Sequence, residues 1–336
     1  MDQTKPKKSQ NFQKKDGTLT TTTDEALERL REYYSELLNR KINVSHHIEQ
    51  YLSNFQKPIA WELDETPTIE ELFKIMSRMK NHKATSLDPI PIEIFKYIKT
   101  NALSTELSQL LTECWETSQV PEIFLVQIMT SLFKKGNRTM PENQRGISMI
   151  SHLSKSLVLL CSNRISAYCE KQDIFPESAC GFRPKRSTVD MILTARLLQY
   201  SCKEKGISLF LAFIDIAKAY DSVHRETLWK ILSCIGIPPK ILSLLKTLYG
   251  KNKCKVKLNS KFSNFFMIEE GLKQGCPAAC LLFNIFFAII IHIIKMKLDQ
   301  KGIELKFRLD GDVFNLQRLY AKTKVQKKTA VRNDFC

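Results

Sequence analysis

The stretch Leu209-Phe210-Leu211-Ala212-Phe213-Ile214-Asp215-Ile216-Ala217-Lys218-Ala219-Tyr220-Asp221-Ser222-Val223 decides how the rest is read. Its first six residues are apolar without alternation, the pattern of a strand covered on both faces. Asp215 follows at the end of that run. A charge on a buried strand is expensive unless something compensates it. Two compensations stay open. A Mg2+ ion takes one or two protein carboxylates and fills its other positions with water and phosphate oxygens. Alternatively, Asp215 accepts bonds from backbone N–H groups at a strand-to-helix junction. Asp221 reads as the cap of the helix that follows, and Tyr220 taken alone reads as a core residue.

Working outward, helices are expected near 151–172 and 187–204, on either side of a turn at Gly181–Thr188. Downstream, helices are expected over 222–235 and 239–250, then a hairpin of 253–259 with 262–268, then a long apolar helix over about 276–298. Nearer the start, residues 1–22 read as a mobile basic tail. Leu27, Leu30, Tyr34, Leu37 and Leu38 share one helical face behind Asp24 as N-cap, and 39–66 reads as loop. Thr68 and Glu71 form a capping box ahead of Leu72, Phe73, Met76 and Met79. Helical patterning covers 91–117, a β-like segment 123–133, and a polar, basic connection 134–146. The last part reads as short strands at Ile303–Phe307 and Val313–Leu316 with a turn at Asp310-Gly311. No internal repeat is visible. The fold class is α+β and helix-rich, with strands in pairs rather than a βαβ series.

Composition bounds the function. The 336 residues hold 51 Lys plus Arg against 35 Asp plus Glu, a formal net charge of +16. A hydrophobic share of 43% and a charged share of 26% exclude a wholly disordered chain, a collagen and a simple coiled coil. With 11 glycines the chain is no Gly-rich repeat protein. The basic balance suits a polyanion, nucleic acid before an acidic membrane surface. No secretory signal precedes the helical region, and Leu281 to Ile294 is shorter than a membrane span and reads as a buried helix. The ten cysteines read as reduced thiols of an intracellular protein, nuclear or cytoplasmic. Cys276 and Cys280 lack the companions a zinc site needs.

Four blocks then stand in a telling order. The run Phe213 to Val223, continuing to Leu228-Trp229, resembles the first metal-binding motif of reverse transcriptases, most like those of non-LTR (LINE-type) retrotransposons. Gly271-Leu272-Lys273-Gln274-Gly275-Cys276-Pro277 with Leu281 to Ile285 resembles a second motif of that family. Gly181-Phe182-Arg183 with Arg186 to Asp190 resembles a third, and Lys134-Lys135-Gly136-Asn137 with Gln144 to Ser148 a fourth. Lys80 to Glu93 is similar to the family's N-terminal extension. The resemblance covers about 68–325.

The resemblance implies a right-hand polymerase with fingers and a partial palm, its antiparallel palm sheet incomplete. It divides the chain into a disordered basic tail (1–22), an N-terminal helical linker region (23–66), fingers with the N-terminal extension (67–206) and partial palm (207–336). It implies RNA-directed DNA synthesis on an RNA template with a DNA primer, from deoxynucleoside triphosphates, with Mg2+ held by Asp215 and the Ile216 carbonyl. Tyr220 would pack against the nucleotide sugar, and Gln274 and Gly275 would line the nucleotide and template pocket. Lys134, Lys135 and Arg145 would hold the triphosphate through charge-assisted bonds. Arg183 and Arg186 would sit by the template path. No membrane and no particular protein partner are implied.

The sequence also departs from the family. It contains no Asp-Asp pair, where the family carries a (Phe/Tyr)-x-Asp-Asp hairpin that supplies further metal carboxylates. Ala278-Ala279-Cys280 stand where Leu-Ser-Pro is usual, and Ala179 where Gln is usual. A two-metal centre places its ions about 3.5–4 Å apart, which one carboxylate cannot hold. Asp310, Asp312 and Asp334 are the conceivable substitutes. The chain is therefore expected to be catalytically inactive alone. A non-catalytic nucleic-acid-binding module and a product without function are the alternatives.

Overall fold

A computed structural model describes residues 11–98, 102–250, 252–298, 303–308 and 327–332. Within them the chain separates into two compact units. The first comprises residues 1–174 and 210–286, the second 175–209 and 287–336.

The first unit is a helical layer built around a small open sheet. Its helices are α1 (Thr23–Leu38), α2 (His46–Asn54), α3 (Ile69–Arg78), α4 (Ile92–Tyr97), α5 (Ala102–Thr117), α6 (Glu122–Leu125), α7 (His152–Lys171), α9 (Arg225–Cys234), α10 (Pro239–Tyr249) and the first part of α11 (Ala278–Leu298). The second unit holds α8 (Thr188–Glu204) and the rest of α11. Hydroxyl side chains open several of these helices by accepting an otherwise unpaired N–H: Thr22 from Glu25, Ser45 from His47, Thr68 from Glu71 and Ser151 from Ser154. The cap of α1 is thus Thr22, not Asp24, which sits inside the first turn and favours the helix dipole instead. Helix α2 and a 3₁₀ turn at Trp61–Asp64 occupy much of the segment read as loop.

The sheet runs β2 (Gln144–Met149), β1 (Val126–Phe133), β3 (Asn252–Leu258), β4 (Lys261–Phe262), with β5 (Phe266–Ile268) also paired to β3. Strands β1 and β2 are antiparallel, with Ile128 opposite Met149 and Leu132 opposite Arg145. Strands β1 and β3 are parallel, with Val126 opposite Lys253. That parallel pair departs from the expected all-antiparallel scheme. The many helical residues between the two strands supply the long crossover that parallel pairing demands.

Helix α1 lies on this sheet. Leu27, Leu30 and Tyr34 meet Met129, Cys254, Val256, Phe266 and Ile268 in one cluster, and Phe12 joins it at 1% exposure. The segment read as a mobile tail is therefore part of the fold from Phe12 onward. Its Thr20 hydroxyl accepts from the Phe12 N–H at 2.8 Å, and Gln13 pairs with Leu19. Burying a side chain of this size is worth about 1.5–3 kcal/mol, which offsets part of the entropy lost by ordering the arm.

Helices α3, α5, α7 and α10 form the second apolar layer, with Leu72, Leu111, Trp115, Leu157, Leu160 and Leu244 almost fully covered. In the second unit β6 (Ile303–Arg308) pairs antiparallel with β7 (Lys327–Arg332). Asp310, Asp312, Asp334 and the expected strand Val313–Leu316 lie outside the described residues.

By length and composition Ala278–Lys297 is apolar enough to cross a membrane, against the expectation drawn from the shorter run Leu281 to Ile294. Within the first unit its Leu282 and Ile285 are fully buried, as in a core helix.

The largest departure falls on 207–216. The expected covered strand is absent: these residues join none of the described strands, and Phe210, Phe213 and Ile214 are 92%, 91% and 87% exposed. Strand dihedrals persist only where neighbours take up the N–H and C=O groups, and among the described residues only the Ile207 N–H finds a carbonyl, that of Cys202 at 2.9 Å.

Candidate functional site

Three sequence-distant pieces meet in the first unit, and the loop after β5 joins the other two. The Gly271 N–H donates to the Val223 carbonyl at 3.0 Å and the Leu272 N–H to the Tyr220 carbonyl at 2.8 Å. On its other side the Ser148 N–H of β2 donates to the Gln274 carbonyl at 2.7 Å. Gly271 and Gly275 are required here. Both have positive φ, +73° and +105°. A Cβ on Gly275 would stand 2.7 Å from the Ser148 carbonyl oxygen, and one on Gly271 would stand 3.0 Å from the Asp221 Cα.

Between the two seams lies the Asp221–Gln274 pair. The Gln274 Nε2 donates to Asp221 Oδ1 at 3.0 Å and to Oδ2 at 3.1 Å. Asp221 is 8% exposed, and burial pushes its carboxyl above the ordinary carboxylate range. The Gln274 bond and the positive charges of Lys218, Arg40 and Arg145 act in the opposite direction. Asp221 is therefore not the cap assigned to it from sequence. His224 caps α9, its side chain accepting from the Thr227 N–H.

Tyr220 leans on Phe283 with ring centroids 5.3 Å apart, and its hydroxyl lies 3.3 Å from Cys280 Sγ. Burial, and then that thiol, push the phenol well above its usual range, while Arg145 acts against the shift. Arg145 is itself exposed on β2. Lys134 and Lys135 are exposed at the start of the connection from β1 to β2, where the Lys134 N–H donates to the Asn143 carbonyl at 2.9 Å.

Beneath the loop is a group of residues that sequence reasoning missed. Lys273 is buried, and its Nζ donates to the Leu248 carbonyl and to Asn252 Oδ1, each at 2.7 Å. Burial pulls its ammonium down to about 8. Arg225 donates to the carbonyls of Gly271 (2.8 Å), Tyr249 (2.6 Å) and Ile268 (3.0 Å). A cavity of about 20 Å³, lined by Asp221, Gln274, Lys273, Arg225, Gln127 and Ser148 among others, lies against the pair. Lys273 stands next to Gln274 inside a quoted motif, but nothing local marks it as buried. The signal available was the apolar company of Leu272 and Cys276 on either side.

Arg183 and Arg186 belong to the second unit. Arg183 donates to the carbonyls of Pro176 (2.9 Å) and Ala179 (3.2 Å) and covers the Phe175 ring at 5.2 Å. Arg186 pairs with Glu177 at 2.6 Å. The Ser187 N–H donates to Asp190, closing a capping box at the start of α8.

Asp215 and Ile216 are exposed, and among the described residues no hydrogen bond or ion pair engages the Asp215 side chain. Neither expected compensation is needed, because the strand that would have buried the charge is not formed. The described residues contain no group of three or more His, Cys, Asp or Glu able to hold a metal ion. The described residues therefore do not supply the carboxylates that a two-metal Mg2+ centre needs.

An open sheet under helices, with a glycine-bracketed loop clasped to a Tyr-Asp turn and to a basic strand, defines an α+β class. Residues 133–307, just over half of the chain, match the family described as Reverse transcriptase (RNA-dependent DNA polymerase), and the chain belongs to that family. It is similar to the Transposon TX1 uncharacterized 149 kDa protein of Xenopus laevis, with 27% identity over 72% of this chain and 18% of that protein. It is also 25% identical to the probable RNA-directed DNA polymerase from transposon BS of Drosophila melanogaster, over 71% of this chain and 27% of that protein. The RNA-directed DNA polymerase from mobile element jockey of Drosophila funebris is 25% identical over 72% of this chain and 26% of its own length. The chain thus spans between about a sixth and just over a quarter of these relatives. The LINE-type assignment is supported by these relatives. Reverse transcriptases generally use a divalent metal, a nucleic-acid template and deoxynucleoside triphosphates.

Proposed function

We propose that this chain is the template- and nucleotide-holding part of a non-LTR reverse transcriptase and that, by itself, it does not extend a primer. One observation carries the reading: Tyr220-Asp221, Gln274-Gly275 and Ser148, from three motifs far apart in sequence, are tied into one site by direct hydrogen bonds. In this reading Lys134, Lys135 and Arg145 meet the triphosphate, Tyr220 the sugar, and Gln274 with Gly275 the nucleotide and template. Arg183 and Arg186 face the template. Residues 67–206 form the fingers and 207–336 a partial palm, after a linker region at 23–66. Asp215 with the Ile216 carbonyl is the metal-facing position, and it is where the chain falls short, since an exposed single carboxylate cannot clamp two ions. The nine described cysteines, all free, agree with an intracellular, reducing setting.

Primer extension on poly(A)–oligo(dT) with Mg2+ tests the catalytic half. The expected result is no extension. Mg2+-dependent extension that Asp215→Ala abolishes would prove the chain competent. Fluorescence anisotropy with the same template–primer tests the holding half, and retention that vanishes at low salt as well as high would sink it.

A further inference from the structure

We propose that Asp221 is a positioning residue that fixes the hydrogen-bond polarity of the Gln274 side chain, so that Gln274 offers a carbonyl oxygen, an acceptor, to its ligand. A carboxylate only accepts. With Nε2 at 3.0 and 3.1 Å from the two Asp221 oxygens, turning the amide over would set its carbonyl oxygen against a carboxylate. The NH2 group is therefore held inward. The Gln274 side-chain oxygen, Oε1, takes no bond from the described residues, and Gln274 is only half-buried.

Both members of the pair are fixed through their main chains as well. The Gln274 carbonyl is held by the Ser148 N–H, and Gly271 packs against the Asp221 backbone too closely for any side chain. Lys218, Arg40 and Arg145, from three different segments, favour the ionised form of Asp221 against the burial that raises its pKa, and Lys273 and Arg225 share its cavity. The other ionisable neighbours are Glu270, which lines the same cavity, and the Tyr34 hydroxyl, which is bonded to Ser131 at 2.7 Å.

The consequence is a rule for ligands. Whatever meets Gln274 must bring a donor, a hydroxyl or an N–H, and an ether or keto oxygen at the same place is repelled. That the ligand is a nucleotide or template rests on the proposed function, whereas the polarity of the amide does not.

The test is nuclear magnetic resonance on the full chain labelled with 15N at glutamine side chains. Gln274→Met identifies the Gln274 NH2 pair by its loss. In the wild type that pair is expected to be shifted from free-amide positions and to exchange with solvent about ten-fold more slowly than in Asp221→Leu, the scale of a hydrogen bond to a charged group. Asp221→Asn, which retains the volume and can donate or accept, is expected to lose most of that protection while keeping a cooperative thermal transition. A wild-type NH2 pair at free-amide positions, or one that Asp221→Leu and Asp221→Asn leave unchanged, would overturn the proposal. A chain that shows the predicted NH2 behaviour but binds no template–primer would overturn the proposed function and leave the positioning role standing.

Discussion

Burial pushes the Asp221 carboxyl above its ordinary range, and that has a sign. Its folded pKa lies above the unfolded value, so the contribution to stability is fully present below the ordinary carboxylate range and is lost as pH rises through the folded value. Asp221→Asn carries no such charge. The variant is therefore expected to gain on the wild type as pH rises from about 4 to 8, read from urea midpoints; parallel midpoints would refute the buried charge. Lys273 gives the reverse slope. With its ammonium pulled down to about 8, the unfolded chain binds the proton more readily. Stability then rises with pH from that value toward the ordinary lysine range, and the wild type is expected to gain on Lys273→Met over that window. At this scale Tyr220, Gln274 and Gly275 were singled out by the family resemblance rather than by local marks, since taken alone a tyrosine reads as core and a Gln-Gly pair as a turn. Asp221 was misread because a cap and a buried acid look alike in one dimension. Asp215 was misread because an apolar run predicts a covered strand only if partners arrive to cover it.

Elements were legible where periodicity and caps agreed, as in α3 and α7, and unclear where the stabilising partner is distant. Helix α10 begins at Pro239 with no capping side chain of its own. Its exposed N–H groups are satisfied by Asp64, 3.0 Å from the amides of Lys240 and Ile241, across a long sequence gap. No local signal announces such a contact, and the same 3₁₀ turn that delivers Asp64 was read as loop. Asp64→Ala is expected to lower stability by about 1–2 kcal/mol in denaturant titration, the scale of a lost cap. Arg225 ties α9 to the end of α10, to β5 and to the Gly271 loop through three carbonyls. Truncating it leaves those acceptors buried and unpaired, so Arg225→Ala should cost more than Asp64→Ala, about 3 kcal/mol or above. The segment 207–216 poses the opposite case. Its exposed Phe210, Phe213 and Ile214 form no part of the core, so Phe210→Ser with Phe213→Ser should change stability by less than about 0.5 kcal/mol. The same pair should reduce light scattering at high concentration, since exposed apolar runs associate. A large loss of stability would mean that these rings are packed in solution.

For the molecule as a whole, charge was the most legible property and the division into units the least. A net charge of +16 follows from counting. The splitting of 175–209 and 287–336 from the rest depends on contacts that no composition shift marks. Charge makes the final prediction quantitative. Lys134, Lys135, Arg138 and Arg145 lie exposed along β2 and the turn before it, where a phosphate backbone would release condensed counterions on binding. Each phosphate neutralised contributes about 0.7–0.9 to the slope of log affinity against log salt. If two of these side chains meet phosphates, Lys134→Gln with Lys135→Gln should weaken template–primer binding and flatten the slope by about 1.4–1.8. Changing template sequence should leave both slope and affinity nearly unaltered, because phosphate contacts carry no sequence information. An unchanged slope in the double variant would move the nucleic-acid track elsewhere on the protein. A slope near zero in the wild type would mean that the excess charge serves no polyanion at all.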